Sequence, residues 1–260
     1  MLHGCTSEAP AAQLSELSRS ILAELTRSVE DFYNFEAESD EDLPIKQWVV
    51  YSCVMICDIA ESAVVLFEKQ RIRAMAILSR SIYEFYITVA YFEQDRSLAL
   101  GQLESQEGRR LLRASKGPFR NDDEFQSAKD RYKDWAERGK AGGIDVYSGN
   151  RNFKDMAIAV EGETQERCPT YWTRYALPSM YSHPDAAAIP DVLDPRGGSV
   201  FVDWTTRRID PLLQLLLTND LLLGTLRLIE RLGVAISELE PLQARQSDLQ
   251  RDILREKGFE

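Results

Sequence analysis

Residues 47–92, QWVVYSCVMICDIAESAVVLFEKQRIRAMAILSRSIYEFYITVAYF, decide the architecture. Up to Phe67 the only charges are Asp58 and Glu61; from Ile72 onward they are Arg73, Arg80 and Glu84. Apolar residues recur every three or four positions, the period of a helix rather than a strand. The polar break EKQRIR is short, so the stretch predicts two long helices, 45–69 and 71–95, packed antiparallel. Each is apolar on nearly every side, which predicts that both lie at the centre of a bundle.

Other helices are expected on either side of this pair. Upstream, residues 12–36 place Leu14, Leu17, Ile21, Leu25, Val29 and Phe32 on one stripe of an amphipathic helix. Downstream, 97–116 and 121–138 read as exposed helices parted at KGPFRNDD, and GKAGGIDVYSGN (139–150) reads as a loop. Short helices are expected over 152–161 and 170–183. A Pro- and Gly-rich segment follows, whose run SVFVDW predicts a strand or an extended brace. A last long helix is expected over 207–239, with Pro211 in its first turn and a leucine-rich face suited to dimerisation, then a charged tail over 240–260. The fold expected is a single all-α domain over 1–260, a helical bundle with a long central antiparallel pair and a peripheral insertion at 97–150.

The balance of 42 acids against 31 bases, a formal charge of −11, excludes a whole-surface attraction to nucleic acid or anionic lipid. The segment 108–120, GRRLLRASKGPFR, with five bases and no acid, is the one candidate basic patch, most simply a solvated loop or helix end. Cys53 and Cys57 share a helix face as small core residues, and no second cluster completes a zinc site. The first residues lack a basic-then-apolar leader. LLQLLLTNDLLLGTLRLI (212–229) is interrupted by Asn219, Asp220 and Arg227, against a membrane helix. A cytoplasmic protein with no cofactor, no metal and no membrane partner is expected. A carboxylate metal site from Asp58, Glu61 and Glu84 lacks the Glu-x-x-His pairs that such bundles use.

Chemistry is expected where charge meets the central pair. Arg80 and Glu84 stand four apart, on one face and within pairing distance. Asp58 and Glu61 share a face that the same reading turns toward the Arg80 helix, as a structural ion-pair network or a functional site. YALPSMYSHPD (175–185) puts Tyr175, Ser179 and His183 at i, i+4 and i+8, with Pro178 disturbing the helix and Pro184 ending it. A histidine at a helix C-terminus gains proton affinity from the dipole, and can act as an acid–base group or as a cap.

LSRSIYEFYITVAYF (78–92) and YWTRYALPSMYSHPDAAAI (171–189) resemble the two signature regions of the bacterial domain-of-unknown-function family 5677. Arg80, Ser81 and Glu84 match its R-S-x-x-E helix; Tyr175, Ser179, His183 and Pro184 match its Y-x-x-x-S-x-x-x-H-P element. The resemblance implies a helical protein in which these polar residues converge, and no settled activity. More distantly the pattern is similar to HEPN proteins, helical bundles that often dimerise and include RNA-cutting toxins and phage-defence effectors. Those use a short Arg-to-His spacing near a helix end, whereas here eight residues separate Arg174 from His183.

The expected function is accordingly a HEPN-like defence or toxin–antitoxin component, with a metal-independent ribonuclease as its mechanism. In that mechanism His183 is the acid–base group, with Arg80 and Glu84 beside it and Ser179, Tyr175 and Arg174 holding RNA. The partners expected are a second copy of the chain in a homodimer, RNA as substrate, or a partner protein. The alternative is a non-enzymatic interaction or sensor module whose Arg–Glu–His cluster is structural.

Overall fold

Helix α1 (Glu8–Asn34) buries the stripe expected of it, with Leu14, Leu17, Ile21, Leu25, Val29 and Phe32 all in the core. The computed structural model describes residues 8–34, 43–94, 153–182, 193–196, 199–202 and 210–258, with five positions between 126 and 137. The basic segment 108–120 and most of the insertion lie outside the described residues. Gln126, Ser127, Asp130, Lys133 and Glu137 are helical and exposed, as the reading of 121–138 requires.

Helices α2 (Leu43–Glu68) and α3 (Ile72–Gln94) are the predicted central pair. Gln70, at φ 55°, makes the reversal between them, with its N–H donating to the Phe67 carbonyl and the Arg71 N–H to Leu66. α1 runs antiparallel to α2: Ser15 and Arg19 reach Glu68 at one end, and Lys46 lies over Phe32 at the other.

The chain continues through α4 (Phe153–Glu161) and α5, a composite of Pro169–Tyr171, a π-helical turn Trp172–Ala176 and Leu177–Ser182. Strands β1 (Leu193–Arg196) and β2 (Ser199–Val202) form an antiparallel hairpin with Leu193 opposite Val202, so the SVFVDW run does contain a strand.

The last helix ends earlier than expected. α6 spans Pro211–Arg231, Gly233 at φ 109° reverses the chain, and a separate α7 occupies Leu239–Glu256. The physical reason is a left-handed position just past the helix end, where Gly lets the Val234 N–H return to the Ile229 carbonyl. The charged tail is thus a packed helix, burying Leu239, Leu242, Gln246 and Ile253. α6 starts cleanly, with Asp210 accepting from the Leu212 and Leu213 N–H groups and Pro211 at its first position.

α6 is the core helix of the bundle. It runs parallel to α3, with Ser79 bonded to Thr218 (2.8 Å) and Arg231 forked onto Glu93 (2.6 and 2.9 Å). Gly224 permits this approach, since a Cβ there would stand 2.8 Å from the Tyr86 ring. Inside, the Ser18 hydroxyl lies 2.8 Å from both the Leu14 carbonyl and Asn219 Oδ1. Asn219 Nδ2 donates to Gln246 Oε1, and Gln246 Nε2 donates to the Leu216 carbonyl and Asp220 Oδ1. These neutral side chains fix the register of α1, α6 and α7, because each would be costly to bury unpaired. The leucines expected as a dimer face are inside instead: Leu212, Leu215, Leu216, Leu221, Leu222 and Leu226 are all buried.

Candidate functional site

The composite helix α5 lies against α3 and α4 and carries three of the six predicted polar residues, Arg174, Tyr175 and Ser179. Its π-helical turn bonds the Leu177 N–H to the Trp172 carbonyl, five residues back. Pro178 has no N–H to give the Arg174 carbonyl, so an α-helical register has less to hold it at this point. Such turns concentrate at functional positions, and this one holds Arg174 and Tyr175.

Arg80, on α3, meets Tyr175. One guanidinium nitrogen, Nη2, donates to Glu84 Oε1 (2.9 Å) and to Tyr175 Oη (3.0 Å), and Cζ lies 4.5 Å from the Tyr175 ring centroid. Tyr175 in turn stacks on Tyr171 at 5.2 Å and packs on Phe153 at 4.5 Å; Phe153 meets the buried Tyr83 edge-on at 5.8 Å. A planar cation suits this arrangement where lysine would not, since one group must both stack and hydrogen-bond. Ser179 turns its hydroxyl back onto the Tyr175 carbonyl at 2.5 Å. Arg80, Glu84 and Tyr175 are thus brought together, Ser179 bonds within α5, and His183 lies outside the described residues.

Arg174 belongs to a different group. Its guanidinium lies between Glu161 Oε1 (4.0 Å) and Asp220 Oδ2 (3.7 Å), on α4 and α6. Burial pushes both carboxyls above their ordinary range, and Arg174 only partly offsets it. Burial also raises Tyr83 and Tyr86, with Glu161 adding to the effect. Tyr83 Oη and Glu161 Oε1 interact electrostatically, yet neither has a hydrogen bond of ordinary geometry. Arg174 is therefore placed as a counter-ion to two interior carboxylates, apart from the Arg80–Glu84–Tyr175 cluster.

Asp58 and Glu61 do not face the Arg80 helix. Both are exposed and line a groove between α1 and α2 with Arg19, Thr26 and Glu30. A helical face shared by two residues does not say which neighbour it meets, and α1 supplies the neighbour here. Glu84, paired with Arg80 on α3, is therefore not part of a carboxylate set with them. Among the described residues, no group of three or more His, Cys, Asp or Glu side chains is placed to hold a metal ion. Cys53 is buried as expected, whereas Cys57 borders the groove.

The sequence reading missed Phe153, Tyr171, Glu161 and Asp220 as members of these clusters. Asp220 had a signal: an acid beside Asn219 in an otherwise apolar helix requires interior polar partners. The aromatic members had none, because their stacking depends on how α4 approaches α5.

No curated protein and no solved structure matches the chain. A family model does match, over residues 46–199, which run from α2 to the start of β2 and include both the Arg80 and the Tyr175 elements. The chain belongs to the family of unknown function DUF5677.

Proposed function

We propose that the chain is a non-enzymatic helical interaction or sensor module of a cytoplasmic defence or regulatory system, in which the Arg80–Glu84–Tyr175 cluster is a structural clamp. The observation that carries this reading is the engagement of both arginines. Arg80 is bonded to Glu84 and stacked on Tyr175, and Arg174 lies between Glu161 and Asp220. A ribonuclease needs cationic groups turned toward phosphate. Here each is turned toward a carboxylate of the same chain, and the clamp joins α3 to α5.

Loss of the clamp is expected to act on stability. Arg80→Ala removes a cation–π contact and a partly exposed ion pair and is expected to cost about 1–2 kcal/mol in thermal or urea unfolding. Wild-type protein and His183→Ala are expected to leave single-stranded and structured RNA equally intact. Cleavage by the wild type that is lost in a His183→Ala protein of unchanged stability defeats the module reading. A metal-independent ribonuclease is the second reading, favoured by one observation: the π-helical turn holding Arg174 and Tyr175 lies just upstream of His183.

A further inference from the structure

The outward face of α2 carries a stripe at helical spacing, Tyr51, Val54, Asp58, Glu61 and Val65, whose three apolar members are each 42–49% exposed. Beside it, α1 and α2 enclose a groove of about 460 Å³ floored by Leu22, Val29, Val54 and Cys57. Its rim is acidic. Glu30, Asp58 and Glu61 border it, and among the described residues none of the three has an ion-pair partner. Among the described residues the one cation of the lining, Arg19, is held by Glu68 through bonds of 2.8 and 2.9 Å.

We propose that this groove docks an amphipathic helix of a partner protein, its apolar ridge seated between α1 and α2 and its flanking lysines or arginines on Glu30, Asp58 and Glu61. This deepens the module reading and rests on it, since it gives that module a partner surface and a partner chemistry.

Two features set the occupant. An apolar furrow between two helices, continued by an exposed apolar stripe, accepts the side-chain ridge of a third helix. The charge then selects among the candidates. A second copy docking the same face about a two-fold axis would oppose acid to acid, which disfavours it. An anionic bilayer surface is repelled by the same three carboxylates. A basic helix is attracted, and the excess of 42 acids over 31 bases steers it to the molecule as a whole.

The test uses the full chain as bait and a displayed library of helical peptides, each with one apolar face and flanks randomised between lysine and glutamate. Lysine-flanked peptides are expected to be enriched. Their affinity, read by fluorescence anisotropy, is expected to fall at least tenfold in Val54→Asp and in the double variant Asp58→Lys/Glu61→Lys, and to weaken with added salt. The three positions are surface-exposed, and a melting curve for each variant confirms that it is folded. No enrichment, enrichment of glutamate-flanked peptides, or binding unchanged in both variants overturns the proposal. So does self-association, or binding to phosphatidylserine vesicles, that Val54→Asp abolishes while leaving peptide binding intact. A chain that cleaves RNA through His183 but still selects basic helices at the groove defeats the module reading alone; the reverse pattern defeats the docking proposal alone.

Discussion

Helix α2 reaches a mean hydropathy of 1.9 and α6 reaches 1.4, and both are long and apolar enough to match a membrane span by length and composition alone. Yet 39% of the apolar window of α2 is buried in the bundle, against 72% for α6. The more apolar helix is the less covered. α6 is enclosed by α1, α2, α3 and α7 and admits polar groups such as Thr218 and Asn219, each satisfied within the core. α2 is covered by α1 and α3, with a lesser contact to α6, and leaves Tyr51, Val54 and Val65 outside. Hydropathy reports what a helix tolerates as surroundings; the number of neighbours decides what it receives.

The largest expected effect contrasts the two helices directly. Leu222→Ala on α6 removes a fully buried side chain and should cost about 2–5 kcal/mol in urea unfolding, whereas Val65→Ser on α2 should stay within about 0.5 kcal/mol. Equal losses would mean that the α2 face is packed in solution, and the contrast would collapse.

A smaller effect sharpens the description of α6 as tightly enclosed. Gly224→Ala gains helix propensity of about 1 kcal/mol but drives a Cβ into the Tyr86 ring, an overpacking cost of about 1–3 kcal/mol. A net loss is expected in the wild-type background and a gain in Tyr86→Ala, where the ring is gone. The same sign in both backgrounds would show that α3 and α6 are further apart.

The smallest effect is a slope. Glu161 and Asp220 have folded-state pKa values raised above 4.5 and 3.8, so over the interval above those values the folded chain holds protons that the unfolded chain has released. Their contribution to stability therefore declines as pH rises through that interval. Glu161→Gln/Asp220→Asn should gain stability relative to wild type between pH 4 and pH 7, whatever constant offset the substitutions bring. A difference that does not change with pH would place Asp220 in water, and would make α6 less enclosed than described.

Much of the bundle was legible because its cues are local. The Leu14-to-Phe32 stripe of α1 has a helical period, and the short polar break EKQRIR can only return the chain on itself. The division of α6 from α7 was also written locally, in Leu232-Gly233, but apolar residues resume directly beyond that glycine, at Val234 and Ile236, and hide the break. Coverage was not legible. That Asp58 and Glu61 meet α1 rather than α3, and that α6 rather than α2 is innermost, depends on long-range packing that the period of a single helix does not encode. Within the candidate site, the pairing of Arg80 with Glu84 followed from their i, i+4 spacing. The stack of Tyr175 on Tyr171 and Phe153 did not, because it joins separate helices.

The extra residue per turn at Trp172–Ala176 is a form of aiming. Each residue of an α-helix advances the side-chain direction by about 100°, so a one-residue surplus rotates everything downstream by about that angle relative to an uninterrupted helix. Pro169 to Tyr171 and Leu177 to Ser182 thus point along different azimuths, although they share one rod. A single-codon deletion inside the turn would preserve a helix, its composition and its hydrophobicity, and would still swing one half of the rod away from its present neighbours. In such a segment, length carries structural information in the same sense as residue identity.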